Sequence, residues 1–369
     1  MIEATTATTT RVTEANERAY IELALTHVGV DRAQARDVAD VLLAADIRSI
    51  ESHGIARLRW FYVDRIRLGT IKAAPSYEVV RETPTSYLLD ADNGLGHPAS
   101  VATMHKTIEK AKKHGICFSA VRNSNHYGIA GYYAMMALEH DLIGISSTDS
   151  IHFATPTYGS DKMQGTNPFA FAIPTDKEPA FVFDFATTTV TYGKLEVYGR
   201  KGWKLKPGWA VDRNGNETSD PAEAQFHGAL LPLGGFGVDG GGHKGYGLGA
   251  LSEILCGVLS GGVFGKALSI PEGTTNTGGV TSHWFGAMRV DAMRDLADFK
   301  RDMDRELREF KESAKAPGQE RIYVSGEIEH EKTLEYRRDG IPLLPKVWED
   351  LDAMAVEIGI PKLERFSVA

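Results

Sequence analysis

Apolar runs alternate with polar joints along this chain, and the spacing of the apolar residues predicts its helices and strands. Apolar residues recur at helical spacing in 14–28 and 32–47, and Asp31 stands where the second helix needs an N-cap. A third helix is expected after Gly54, closing at Gly69. Residues 1–12 show no such pattern and are expected to be frayed.

Short apolar runs bounded by turn residues predict strands through the middle of the chain. Two strands are expected within 77–92, and others at 116–121, 142–147, 169–173, 180–185 and 284–290. Further helices are expected at 99–114, 129–138, 246–259 and 291–315, and residues 267–282 are expected to form a Gly/Thr loop. We therefore expect an α/β domain over 76–290 and a mostly helical domain built from 1–75 and 291–369.

The most informative stretch is 116–148, which predicts a strand, a polar joint, a helix and a second strand. The joint reads Arg122-Asn123-Ser124-Asn125-His126. Functional groups of α/β proteins gather where a strand ends and a helix begins. His126 is a candidate proton carrier because imidazole titrates near neutral pH. The alternative is that Ser124, Asn125 and His126 only cap the helix.

A second polar joint breaks the helical pattern at Ser52-His53-Gly54, with Arg57 four residues after His53. On one helical face, His53 and Arg57 would lie together. The arginine fork suits a carboxylate, and the histidine suits a neighbouring oxygen that is protonated during a reaction. The residue types allow equally well a helix–helix corner with solvated polar groups.

Glycines cluster between Gly234 and Gly265 and contain a GxGxxG pattern at Gly235, Gly237 and Gly240. A Rossmann fingerprint is not indicated, because Pro232 spoils the preceding strand and no acidic residue follows about twenty positions later. Lys244 instead lies near the start of an apolar helix, where free N–H groups can hold a phosphate.

A strand end at Asp184, followed by Phe185-Ala186-Thr187, would suit nucleotide contact. The same residue types would also suit the edge of a sheet.

The composition and the absence of certain motifs exclude several classes of function for this protein. The 369 residues carry 41 basic and 49 acidic side chains, a net charge of −8, so nucleic acid is not expected as a partner. Cys117 and Cys256 lie in apolar runs and are expected to be buried thiols of a reducing compartment. No signal peptide or membrane span is indicated, which favours the cytoplasm. No metal motif and no GxSxG elbow is present.

Several motifs, in order along residues 14–345, resemble the type-2 malate/L-lactate dehydrogenases, a family that includes ureidoglycolate, sulfolactate and diketogulonate oxidoreductases and a cyclic imino-acid reductase. The motifs are Ser52-His53-Gly54-Ile55-Ala56-Arg57, Asn125-His126-Tyr127-Gly128, Gly165-Thr166-Asn167-Pro168, Asp184-Phe185-Ala186-Thr187, Gly208-Trp209-Ala210-Val211-Asp212 and His243-Lys244-Gly245-Tyr246-Gly247. The runs 229–235 and 242–245 look most like the malate dehydrogenases. Ser49 is a departure, since many members have Gly after the arginine at this position.

The resemblance implies a non-Rossmann α/β fold that binds NAD or NADP, and a homodimer. It makes His53 or His126 the proton carrier and places Ser52 and Arg57 near the substrate. The cofactor contacts that it implies are Ser150, Asp184, Phe185, Ala186, Thr187, His243, Lys244, Gly326 and Glu327.

The function we expect is that of an oxidoreductase, with reversible hydride transfer between NAD(P) and a small 2-hydroxy acid. Malate is the first candidate substrate. The alternatives are a ureidoglycolate, sulfolactate or lactate dehydrogenase and a cyclic imino-acid reductase, which need the same arginine and proton donor. A different class of protein, a nucleotide- or anion-binding protein without turnover, would use the same scaffold.

Overall fold

The computed structural model describes residues 9–268 and 281–368, so most of the Gly/Thr loop expected at 267–282 lies outside the described residues. Residues 9–12 were expected to be frayed, and this prediction is wrong. They form strand β1, Thr9–Val12, which pairs with β11, Ile341–Pro342, and with β12, Phe366–Val368. Both partners lie more than 300 residues away, so the local pattern could not reveal the pairing.

The predicted helices and strands occur in the predicted order, together with further elements that the pattern did not predict. The helices are α1 Glu14–His27, α2 Arg32–Ile47, α3 Asp64–Arg67, α4 Gly96–His114, α5 Ala130–Met136, α6 Tyr192–Arg200, α7 Gly242–Glu253, α8 Leu296–Glu312, α9 Glu327–Asp339 and α10 Pro345–Ile358. The remaining strands are β2 Glu78–Thr83, β3 Ser86–Asp90, β4 Ile116–Ser124, β5 Leu142–Thr148, β6 Phe169–Ile173, β7 Phe181–Phe185, β8 Ala210–Val211, β9 Ala229–Leu230 and β10 Thr281–Arg289.

Within the described residues, seven strands form the main sheet in the order β2-β3-β4-β10-β5-β6-β7. Only β3 and β4 pair in parallel, and the other neighbours are antiparallel. Since β4 and β5 both run antiparallel to β10, they run parallel to each other with β10 between them. The expected strand–helix–strand unit is therefore present, but a third strand is inserted. This sheet is mixed rather than all-parallel, which agrees with a non-Rossmann fold.

Four clusters of buried hydrophobic residues occur among the described residues, and the two largest of them position the site. One lies among α1, α2, residues 55–66 and α10, and the other packs α4 and α5 on the main sheet. The helices that build them start as their sequences dictate, because Asp31 caps α2 by accepting the N–H of Ala33, as expected, and Thr13 caps α1 in the same way. Cys117 and Cys256 are free, buried thiols, as predicted.

The helix expected after Gly54 is not continuous. Two 3₁₀ turns, Glu51–His53 and Ile55–Arg57, lead into a π-helical segment, Leu58–Val63, and then into α3. Wide π turns often occur at functional sites because they redirect side chains. This irregular segment supplies one wall of the site described below.

The glycines of the GxGxxG pattern belong to turns that precede α7, which begins at Gly242 rather than at the expected Tyr246. Gly235 and Gly237 have positive φ angles of 79° and 69°. A Cβ built at Gly242 would overlap the carbonyl oxygen of Gly235, so the loop packs against the start of its own helix. Close backbone packing thus accounts for this glycine cluster.

Helix α8 starts at Leu296, five residues after the predicted start at Asp291, because Asp295 caps it by accepting the N–H of Asp298. Its buried Asp304 accepts N–H groups from residues 176–178, beyond strand β6. Within residues 9–268 and 281–368, every helix is too short or too polar to span a bilayer.

Candidate active site

A cleft of about 240 Å³ opens where the irregular segment 51–65 faces the joint after β4 and the loop after β5. Its walls come from six parts of the chain, including Thr281 at the start of β10. They include Ser52, His53, Arg57, Phe61, Arg65, His126, Gly128, Asp149, Ser150, Thr166, Thr191, Gly193 and Glu196. The four residues predicted to bind substrate or carry a proton, Ser52, His53, Arg57 and His126, are therefore brought together in one cleft.

The turn that contains His53 is held by its own hydrogen bonds. The Ser52 hydroxyl lies 2.8 Å from Nδ1 of His53. Nε of Arg57 donates to the carbonyl oxygen of Ser52 at 2.5 Å, and the backbone N–H of Arg57 donates to Gly54. Arg57 lines the cleft, and because Nε is engaged within the turn, its two terminal nitrogens remain available to a ligand.

His126 follows a strand that is longer than predicted. Strand β4 continues to Ser124, and Asn123 takes a left-handed conformation with φ 51° that re-aims the chain. The amide of Asn125 then donates to Asn93 and to the carbonyl oxygen of Gly94. The alternative in which this joint only caps the helix does not hold, since α5 begins at Ala130 without a side-chain cap.

The ring of His126 is oriented through Nδ1. The Tyr62 hydroxyl lies 2.7 Å from this nitrogen, and the backbone N–H of Gly128 donates to it at 3.3 Å. An N–H can only donate, so the neutral ring carries its proton on Nε2. That nitrogen is the one that a ligand in the cleft can reach.

The two candidate histidines lie side by side, with ring centroids 5.5 Å apart and planes inclined by 25°. Burial, together with the positive charge of Arg57, lowers the pKa of His53 to about 4. Burial and the neighbouring His53 and His97 hold the pKa of His126 well below its usual range. Both rings are therefore neutral at pH 7, the state in which one of them can accept a proton.

Two further residues of this wall were not predicted to belong to the site. The guanidinium carbons of Arg57 and Arg65 lie 4.7 and 5.1 Å from the centroid of the Phe61 ring. Phe61 also meets the edge of His126 at 5.2 Å. The i, i+4, i+8 spacing of Arg57, Phe61 and Arg65 was the signal that could have revealed them.

Behind the cleft lies His97, whose buried ring makes edge contacts with Tyr62 at 4.8 Å and with His126 at 6.4 Å. Among the described residues, neither of its ring nitrogens has a hydrogen-bond partner. Burial, with a smaller effect of His283, lowers its pKa to about 3. His97 therefore packs as a neutral ring that fixes the position of Tyr62 and His126.

One group of predicted cofactor residues is linked to the cleft by hydrogen bonds. The Ser150 hydroxyl accepts the N–H of Thr166, and the carbonyl oxygen of Thr166 accepts both the N–H and the hydroxyl of Thr187. The side chain of Asn167 reaches the carbonyl oxygen of Gly249 in α7. Ser150, Thr187 and the second half of α7, at Gly249, therefore belong to one connected wall.

A second group lies around strand β7. Asp184 accepts the N–H of Gly131 at the start of α5. Gly326, with φ 91°, packs against Val182, and the buried carboxylate of Glu327 forms ion pairs with lysine and arginine side chains. These residues lie beside one strand but do not line the cleft.

The remaining predicted contacts lie elsewhere. Phe185 stacks on Phe183, with ring centroids 4.2 Å apart, and Ala186 is half-buried. His243 and Lys244 are exposed in the first turn of α7. Their contact with a cofactor stays a prediction.

The cleft walls fit the reactive end of a dinucleotide. A Cβ built at Gly193 meets nothing within 4 Å, so a ligand can approach this backbone closely. Asp149 is fully buried, and its Oδ2 has no partner among the described residues. Burial raises the pKa of Asp149 well above its usual range, which favours the protonated carboxyl. At about 240 Å³ the cleft is smaller than a whole dinucleotide needs. The rest must lie on open surface.

A metal centre has no support in the described parts of the chain, where no three His, Cys, Asp or Glu side chains are grouped closely enough to hold an ion.

Comparison with known proteins finds matches over most of the chain. A family model described as malate/L-lactate dehydrogenase matches residues 12–352. The chain is 45% identical to the malate dehydrogenase of Pyrococcus horikoshii over 93% of this chain and 94% of that protein. It is 36% identical to the malate/(S)-sulfolactate dehydrogenase of Methanothermus fervidus, over 93% and 97%. The solved structure of the P. horikoshii enzyme superposes with a TM-score of 0.86 at 41% identity, covering 96% of this chain and 97% of that one.

Proposed function

Since this chain belongs to the malate/L-lactate dehydrogenase family, we propose that its cleft binds a 2-hydroxy acid, with malate and oxaloacetate as the preferred pair. The observation that carries the proposal is the meeting of Arg57, His53 and His126 in one cleft. A carboxylate clamp and a neutral base beside it are what oxidation of a 2-hydroxy acid requires.

Arg57 is positioned to hold the C1 carboxylate. The side chain lines the cleft, and its Nε is bound to the carbonyl oxygen of Ser52, which leaves the terminal nitrogens for the substrate. Two parallel hydrogen bonds from a guanidinium fix both the position and the rotation of a carboxylate. The hydroxyl carbon is then directed towards the two histidines.

One imidazole takes the hydroxyl proton during oxidation and returns it during reduction. The base is Nε2 of His53 when its Nδ1 donates to Ser52. His126 with its proton on Nε2 acts as the donor during reduction, and it can act as the base only in its other tautomer, in which Nδ1 donates to the Tyr62 hydroxyl and the hydrogen bond from Gly128 is lost. General-base catalysis of this kind typically contributes about 10²- to 10⁴-fold. The cleft adds orientation and the exclusion of water.

A bound nicotinamide cofactor supplies hydride acceptance and donation. Ser150 and the linked Thr166 and Thr187 would hold it along the wall that leads to α7. Asp149 and the open backbone at Gly193 would contact its reactive end. Asp184, Phe185, Ala186, His243, Lys244, Gly326 and Glu327 are proposed as contacts of its remaining parts.

Arg65 supports a dianionic substrate. It lines the cleft beside the ring of Phe61. Arg57 packs against the same ring and supplies the first positive charge. Malate and oxaloacetate carry two carboxylates, whereas lactate and ureidoglycolate carry one. The acidic Glu196 on the opposite wall lies near Arg57 and offsets part of the charge there. Sulfolactate is also a dianion, so it is the second candidate.

A substrate panel tests the proposal. The purified protein is assayed at 340 nm with NADH and, separately, with NADPH against oxaloacetate, sulfopyruvate, pyruvate and a cyclic imino acid. We expect kcat/KM for oxaloacetate to exceed that for pyruvate by roughly 100-fold, the size of one charged hydrogen-bond pair. The same series shows whether NAD or NADP is the cofactor.

Other outcomes would redirect the assignment. A preference for sulfopyruvate selects the second candidate, and a preference for the imino acid selects a reductase. Binding of both dinucleotides, measured by fluorescence, without turnover of any acid would contradict catalysis and leave a nucleotide-binding protein.

An exposed apolar face supports assembly with a second copy. Leu251 in α7 and Ile254, Val258 and Leu259 in the following turns repeat at helical spacing and are each at least 45% exposed. A continuous apolar stripe of this kind is typical of an interface. We expect light scattering to give twice the mass of the 40.3 kDa chain, and Leu251→Asp with Leu259→Asp to give the monomer.

A further inference from the structure

Asp46 and Glu17 form a buried pair of carboxyl groups beneath the Ser52–Arg57 turn. Asp46 lies in the last turn of α2, and Glu17 lies in the first turn of α1. Glu17 is fully buried and Asp46 is 4% exposed. Neither residue lines the cleft, and the family motifs do not include them.

Asp46 touches the turn at its centre. Its Oδ2 accepts the backbone N–H of Ile55 at 2.5 Å. A Cβ built at Gly54 would overlap the Asp46 carboxylate, so the glycine is packed directly on this side chain. Gly54 and Ile55 lie between His53 and Arg57, and their backbone therefore sets the distance between the base and the clamp.

The pair needs a shared proton. Glu17 and Asp46 are buried neighbours where α1 packs on α2, and each carboxyl affects the pKa of the other. No donor from the described residues reaches either oxygen of Glu17. Two ionised carboxylates only accept hydrogen bonds, so a bond between them requires that one is protonated.

We propose that Asp46, through a proton shared with Glu17, is a positioning residue that holds the Ser52–Arg57 turn in its reactive shape. The part of the proposal that concerns turnover rests on the proposed dehydrogenase function. The part that concerns the shared proton does not.

Electrostatics agree with the geometry. Burial raises the pKa of Asp46 to about 7, and burial together with the Asp46 charge raises that of Glu17 well above its usual range. The charged groups that act on the pair are Glu14 and Arg18 on α1 and Glu51 in the turn. Glu14 and Glu51 are negatively charged, so they favour the protonated state of the pair.

The sign of the pH effect follows. A carboxyl whose pKa is raised in the folded state holds a proton that the unfolded chain has already released above about pH 4. Stability from the pair is therefore present below pH 4 and is lost as the pH rises through about 7 for Asp46 and further for Glu17. At alkaline pH, two negative charges face each other beneath the turn.

Glu17→Gln tests this without touching the turn, because its amide donates to Asp46 permanently and cannot lose the proton. We expect the ratio of its kcat/KM to that of the wild type to rise at least threefold between pH 6 and 9. The melting temperature of the variant minus that of the wild type should increase by roughly 3 °C between pH 5 and pH 8. A flat ratio together with a constant temperature difference would overturn the proposal.

Asp46 is tested directly by two replacements. Asp46→Ala leaves the Ile55 N–H without its partner, and kcat should fall at least tenfold. Asp46→Asn keeps an acceptor oxygen and should recover most of that loss. Equal losses in both variants would show that the hydrogen bond does not position the turn. If Asp46→Ala does not fold, the Glu17→Gln profiles decide alone.

The matched control is Glu22→Gln. Glu22 lies on the same helix as Glu17 but is not among the charged groups that act on the pair. Its kcat/KM ratio to the wild type should stay constant with pH. If the wild type turns over no acid at all, the proposed function fails, and the melting temperatures still test the shared proton.

Discussion

The hydroxyl of Tyr62 lies 2.7 Å from Nδ1 of His126, and the tyrosine is completely buried in the π-helical segment behind the cleft. The residues are 64 positions apart, so the contact exists only because the irregular segment packs against the joint after β4. A hydroxyl can donate to a neutral ring and accept from a protonated one. Tyr62 can therefore support His126 in both states.

We expect Tyr62→Phe to lower kcat by roughly 10- to 100-fold while KM changes little, since the ring packing is kept and only the hydrogen bond is lost. Steady-state kinetics of oxaloacetate reduction provide the measurement. Tyr87→Phe is the matched control, because Tyr87 lies in β3 away from the cleft. Full kcat in Tyr62→Phe would show that His126 needs no support from the hydroxyl.

Arg57 should control substrate binding more than turnover. Arg57→Lys keeps the charge but loses the planar fork, so KM for oxaloacetate should rise roughly 10- to 100-fold, with a smaller change in kcat. Unchanged KM would exclude Arg57 as the carboxylate clamp.

Arg65 provides a substrate-dependent test. If it meets the second carboxylate, Arg65→Lys raises KM for oxaloacetate roughly tenfold and leaves KM for pyruvate unchanged. An equal rise for both acids would assign Arg65 to packing against Phe61 rather than to the second charge.

Ser49 carries a specific backbone cost. It adopts φ 61°, in the left-handed region that glycine enters freely, and its hydroxyl lies 3.3 Å from that of Tyr336. Both Ser49→Gly and Ser49→Ala lose that contact, but only glycine relieves the strain. We expect the glycine variant to exceed the alanine variant by about 1 kcal/mol in the free energy of unfolding by urea. Equal stabilities would contradict this explanation.

The spacing of apolar and polar residues predicted a large part of the fold and of the candidate site. The N-cap at Asp31, the strand–helix–strand unit and the two polar joints that carry His53 and His126 all follow from residue spacing. Ser49, which the resemblance marked as a departure, adopts φ 61° and lies in the left-handed region.

What the pattern could not predict depends on distant contacts. Strand β1 pairs with the C-terminal strands, and Glu17 meets Asp46 only because α1 packs on α2. The position of His97 behind Tyr62 also depends on a distant contact, because the apolar face of a helix does not indicate which ring it will pack against.

The most direct test of the central claim is the separate replacement of His53 and His126 by alanine, with oxaloacetate reduction followed at 340 nm. The variant that lacks the main proton carrier should lose about 10²- to 10⁴-fold in kcat, and the other should lose less. Circular dichroism confirms that both remain folded. Full kcat in both variants would contradict the assignment of this cleft as the active site.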